Sequence, residues 1–180
     1  MQFNKLPKNY ILILFLGLIS FSLYINSLHG EFLVDDESAI LNNPSTHDYN
    51  TYISKHFRIK PGVLDELKRV LIWQISGENP FPYHLFNVIA HVSCVILLFI
   101  LINSLFNDRV LSFLSSLIFA IHPIHTEAIS WISGGHYVFS SLFFIAALIF
   151  YVKSDRSVFY LALSVIFFCP TSFNFCSKSV

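Results

Sequence analysis

Charge is scarce in this sequence. Asp, Glu, Lys and Arg make up 12% of its 180 residues, about half the roughly 25% of an ordinary soluble domain. With 54% hydrophobic residues, too few polar groups remain to cover a water-facing surface, which excludes soluble globular, disordered and collagen-like classes. Neither sign of charge is in excess, with 11 basic and 11 acidic residues, so there is no basic surface for nucleic acid. Cysteine is also sparse. Cys94 lies in an apolar run and Cys169 and Cys176 near the end, which gives no disulfide framework. No internal repeat and no low-complexity linker is visible. What is abundant is phenylalanine, 20 residues, and long uncharged runs. The composition is that of a membrane protein.

A helix needs about 20 apolar residues to cross the hydrocarbon core. Runs near 10–28, 83–105, 110–122, 137–152 and 158–170 predict an all-α, polytopic membrane bundle of about five spans. A long loop, 29–82, separates the first two. Lys5, Lys8, Arg109, Lys153 and Arg156 fall in short connections on one side, whereas the 122–136 connection has no Lys or Arg. This places the N-terminus in the cytoplasm and the 29–82 loop outside. Within the loop, Asp65 to Gln74 has a helical composition, and Leu67, Val70, Leu71 and Trp73 predict a surface-parallel helix set into the interface.

Three polar clusters stand out at the external ends of these spans. Asp35-Asp36-Glu37 follows the first span. Adjacent carboxylates repel unless water, a cation or a basic ligand screens them, so the cluster suits either a divalent cation such as Mg or Mn on Asp35 and Asp36, or proton abstraction from a hydroxyl. The plain alternative is a solvated acidic loop. His84, Asn87 and His91 share one helix face at the start of span two, either as part of a site or as interhelical hydrogen bonding. The third cluster, His122, His125, Thr126 and Glu127, lies between Pro123 and the Gly134-Gly135 pair. Irregular backbone near membrane depth is tolerated only against protein or a wet cavity, and an intramembrane Glu with two His is a functional candidate. A zinc site is a weaker reading, because the spacing is not that of a zincin helix.

The order and spacing of Val34-Asp35-Asp36, of Gly77, Pro80, Tyr83-His84, Asn87 and His91, and of Phe119-Ala120, His122-Pro123, His125-Thr126-Glu127-Ala128, Trp131 and Ser133-Gly134 resemble the N-terminal part of a GT-C membrane glycosyltransferase. The nearest group is the transmembrane-and-tetratricopeptide-repeat O-mannosyltransferases and their bacterial relatives. The resemblance covers about Phe32 to Tyr151. It implies transfer of a mannose-like sugar from a polyprenyl-phosphate lipid to an external hydroxyl on a protein or glycan, in a bacterial plasma membrane or an endoplasmic reticulum membrane. Asp35 falls at the family's loop-one catalytic acid and Asp36 follows it. His84, Asn87, His91, His122, His125, Thr126 and Glu127 are then expected to position donor and acceptor. Catalytic groups must converge on one substrate, so the Asp pair is expected beside Glu127 or His125. The family's Arg after Ser-Gly is Gly135 here, and the acid two residues later is Tyr137. The chain has fewer spans than the family's catalytic domain and no tetratricopeptide region, so it is expected to be a partial enzyme, truncated and weakly active or inactive. The alternatives are a non-catalytic multi-span membrane component, or a small transporter with the His/Glu turn lining its path.

Overall fold

The computed structural model describes residues 9–55, 63–154 and 157–175. Lys5, Lys8 and Arg156, used above for orientation, lie outside the described residues. All regular structure among the described residues is helical: α1 (Tyr10–Leu23), α2 (Val34–Asp36), α3 (Pro44–His47), α4 (Tyr49–Lys55), α5 (Val63–Ser76), α6 (Phe81–Phe106), α7 (Arg109–Ile121), α8 (Thr126–Ser130), α9 (Gly135–Val152) and α10 (Val158–Phe175).

The expectation of about five spans is overturned. Among the described residues two helices, α6 and α9, are long and apolar enough to cross a membrane, and at most three spans result if α7 and Pro123–Ser130, bent by 49°, form one broken span. The reason lies in where the helices break. The apolar run at 10–28 stops being an α-helix at Leu23; Ile25–His29 tightens into a 3₁₀ turn in which Ser27 Oγ donates to the Tyr24 carbonyl. Fourteen residues of α1 reach only roughly 21 Å, short of the ~30 Å core. α7 ends where His122, forced to an extended conformation before Pro123, cannot continue the helix. The apolar part of α10 among the described residues, Val158–Phe168, is also short. By contrast, the 26 residues of α6 reach roughly 39 Å.

α6 is the central helix: α1, α7 and α9 pack on it, and α10 packs on α9. α6 closes at Asn107, which takes the left-handed conformation (φ 52°) that a short polar side chain tolerates at a helix end. Asp108 then caps α7 by accepting from the Val110 and Leu111 N–H groups. This tight turn makes α6 and α7 neighbours.

At the other end of α6 the long loop folds back on the bundle. Asn43 accepts from the Ser45 N–H and Pro44 opens α3, a favoured helix start. His47 of α3 stacks on Trp73 of α5 at 3.9 Å, and Gln74 donates to the His47 carbonyl at 2.9 Å. The residues forecast as a helix, 65–74, lie inside α5. Its apolar face divides: Val70 and Ile72 are buried in protein, whereas Leu71 is exposed. Ile72 joins Ile40, Tyr83 and Ile132 in a small core of their own. Burying such side chains contributes about 1.5–3 kcal/mol each. This core brings the loop, the start of α6 and the 122–136 turn together, and it positions the polar groups described next.

Candidate active site

The two aspartates of the loop have opposite surroundings. Asp36 sits in the first turn after the extended residue Leu33, and its Oδ2 accepts from the Leu33 N–H at 3.0 Å, as helix-start carboxylates do. Its Oδ1 crosses 97 residues of sequence to accept from the Ser133 N–H at 2.8 Å and also takes the Ser133 hydroxyl. Asp36 is fully buried. Asp35 is exposed, and among the described residues nothing donates to its carboxylate; its carbonyl accepts from Ser38 Oγ.

Asn87 holds the same turn from the other side. Its buried amide nitrogen faces the carbonyls of Ile129, Trp131 and Ile132 at 3.4, 3.2 and 3.4 Å. Its side chain fills the space beside Gly135, where a Cβ would lie 2.0 Å from Asn87 Oδ1. His84, also buried, packs on the backbone ahead of the aspartates, and a Cβ on Gly30 would come within 2.8 Å of its Nε2. Thus two of the three polar residues at the start of α6 clamp the two segments that Asp36 and Ser133 join.

His91 belongs to a separate row. It meets Tyr24 edge-on at 5.2 Å, stacks on Phe119 at 5.7 Å and lies 5.6 Å from His125, which lies 6.1 Å from His122. His122 is exposed, and its Nδ1 accepts from the Ile124 N–H at 3.2 Å. The Thr126 side chain lies near the Tyr24 hydroxyl. The side chain of Glu127 is exposed, while its carbonyl closes α8 by accepting from Trp131. The 122–136 connection therefore meets the aspartates through Ser133, with the Glu127 side chain turned to the surface.

Sequence reasoning missed the cations. Asp65 of α5 pairs with Lys68 at 2.7 Å and Arg69 at 2.9 Å, the three-and-four spacing of a helix face, and this spacing was the available signal. Lys68 Nζ lies over the rings of Phe86 and Phe139 at 5.6 and 5.9 Å and is close enough to Asp36 to feel its charge. Burial acts to raise the Asp65 carboxyl, but Lys68 and Arg69 outweigh it and hold it below the ordinary carboxylate value. His136, at the start of α9, bonds the Ser133 carbonyl at 2.7 Å through Nδ1. Asp36 is thus tied to Ser133, which His136 also holds, and lies near Lys68, which pairs with Asp65.

Among the described residues no group of three His, Cys, Asp or Glu is placed to hold a metal. Asp36 has both oxygens engaged by N–H and O–H donors, and Asp35 stands next to it in α2 with its carboxylate exposed.

An apolar helical bundle with this polar node at one end is a membrane protein, and its relatives specify the kind. Human protein O-mannosyl-transferase TMTC3 is 34% identical over 173 residues, 86% of this chain and 19% of the relative. Mouse protein O-mannosyl-transferase TMTC2 is 37% identical over 150 residues, 75% of this chain and 18% of the relative. Human protein O-mannosyl-transferase TMTC1 is 34% identical over 151 residues, 73% and 17% respectively. No family model matches the chain, and no solved structure does. The chain is a GT-C-type membrane protein related to the TMTC protein O-mannosyl-transferases. It spans about a fifth of the length of the curated relatives it matches.

Proposed function

We propose that this chain forms the acceptor-activating end of a glycosyltransferase that moves a mannose-like sugar from polyprenyl phosphate to an external hydroxyl on a protein or glycan. The observation that carries this reading is the division between the two aspartates. Asp36 is consumed in joining the loop to the 122–136 turn. Asp35, held beside it by the same short helix, presents an exposed carboxylate with no donor among the described residues. A base must be free to take a proton and must be fixed in place, and the pair divides those tasks.

In the reaction, the acceptor oxygen bonds to the anomeric carbon while the bond from that carbon to the phosphate oxygen breaks. The electron pair leaves with the phosphate and the hydroxyl proton passes to Asp35. His84 and Asn87 act through the backbone they hold, Gly30 and the 129–132 carbonyls. His91, His122, His125, Thr126 and Glu127 form the wall beside the transferring sugar. The aspartate end faces the external side, with the N-terminus cytoplasmic.

The test separates the two aspartates. The protein in nanodiscs is supplied with polyprenyl-phosphate mannose and a hydroxyl acceptor. Asp35→Asn is expected to lower transfer by about 100-fold or more, the usual worth of a positioned base, without changing thermal stability. Transfer by Asp35→Asn at the parent rate refutes the reading, and transfer by neither protein favours the non-catalytic membrane component over it.

A further inference from the structure

Departure of a sugar from a lipid phosphate leaves negative charge on the phosphate, and a cation near it stabilises that charge. Among the side chains described, the basic ones are Lys68, Arg69, Arg109 and Lys153. Arg109 opens α7 and Lys153 follows α9, both at the far end of the bundle from Asp36. Position 135 offers no cation, and its side-chain space is filled by Asn87. Among the side chains described, only Lys68 and Arg69 stand at the aspartate end.

Their arrangement is not that of a simple surface pair. Lys68 and Asp65 are buried, at 5% and 7% side-chain exposure, and Arg69 is the outermost of the three at 17%. One carboxylate serves both cations, so the trio carries one net positive charge. The next carboxylate, Asp36, accepts from Leu33 and Ser133 and keeps its charge beside buried Lys68, which leaves Arg69 as the outward cation of the group. Arg69 gives Nη1 to Asp65, while its buried Nε has no hydrogen-bond partner. Buried ion pairs are poor sources of stability, and a buried donor without an acceptor is costly. A guanidinium held at one nitrogen is planar and keeps its remaining N–H groups in a fork, the geometry that fits phosphate oxygens. Lys68, set over two aromatic rings, adds a second positive charge where screening by water is weak.

We propose that Arg69, clamped by Asp65 and backed by Lys68, is the side chain that meets the phosphate of the lipid-linked donor. This rests on the transfer reading above and assigns its donor subsite to α5.

The experiment measures binding of a polyprenyl phosphate and of the matching free polyprenol to the protein in nanodiscs. The parent protein is expected to prefer the phosphate. Arg69→Gln is expected to lose about 10- to 100-fold of that preference, the worth of one charge-assisted contact, and Arg109→Gln, at the other end, none of it. As a measurement that needs no variant, arginine-selective dicarbonyl labelling read by peptide mass spectrometry is expected to show Arg69 protected by polyprenyl phosphate and not by polyprenol. A folded Arg69→Gln protein that keeps the full preference, or labelling of Arg69 that polyprenyl phosphate leaves unchanged in a protein that does prefer the phosphate, overturns the assignment and leaves the transfer reading standing. A parent protein that does not distinguish phosphate from alcohol overturns the transfer reading, and this assignment falls with it.

Discussion

Replacing Gly135 by Ala adds one methyl group at a position where the structure leaves no room. The new Cβ would lie 2.0 Å from Asn87 Oδ1, 2.5 Å from its Cγ and 2.6 Å from its Nδ2, so Asn87 has to rotate away. That movement removes its amide from the Ile129, Trp131 and Ile132 carbonyls in a setting where Asn87 is almost wholly buried. The contacts are long, so their summed net worth is about 1–2 kcal/mol, and an amide left unpaired in the interior costs about 1–3 kcal/mol more. Ala gains up to about 0.5–1 kcal/mol over Gly for helix formation, which offsets part of this at the start of α9. The net expectation is a loss of about 1.5–4 kcal/mol, read by denaturant or thermal unfolding in detergent. The mechanism also sets the outcome in a second background. With Asn87→Ala already made, the space is open, and Gly135→Ala becomes neutral or slightly stabilising; the cycle is strongly non-additive. A Gly135→Ala protein as stable as the parent, or equal costs in the two backgrounds, refutes the reasoning. Gly135→Arg, which restores the residue the resemblance leads one to expect, is for the same reason destabilising here.

Other consequences follow from the same node. Asp36→Asn keeps the shape but only one accepting oxygen, so it loses either Leu33 or Ser133 and costs about 2–3 kcal/mol; Ser133→Ala costs about 1–2 kcal/mol, and the double variant costs little more than Asp36→Asn alone. Unfolding midpoints of the three variants check this, and simple additivity contradicts it. Asp65→Asn strands two cations in the interior and is expected to cost about 3–5 kcal/mol near neutral pH. Because the folded Asp65 carboxyl sits below its ordinary value of 3.8, its contribution is complete above that value and is lost as pH falls through the folded value. The Asp65→Asn protein therefore has a flatter acid limb than the parent when unfolding is followed from neutral pH downward, and parallel limbs count against the pairing.

The sequence by itself determined the chemistry of the surroundings. Scarce charge and long apolar runs made the protein a helical membrane protein, since lipid leaves backbone groups no partners outside a helix. The motif spacing carried the relationship to the TMTC proteins, and the helix over 65–74 was legible from composition. The number of crossings was not. An apolar run shows where lipid is tolerated; whether one helix fills it depends on local breaks such as the 3₁₀ turn at Ile25–His29 and the extended His122 before Pro123. Only the tertiary structure decided which aspartate is buried. Asp35 and Asp36 are chemically alike and adjacent in sequence. What separates them is Ser133, a residue 97 positions away, brought within reach by the core of Ile40, Ile72, Tyr83 and Ile132. The same folding placed Asp65, Lys68 and Arg69 beside that node. Their spacing marked one face of a helix, but a helix face has no partner in sequence terms, because the partner is chosen by what packs across from it.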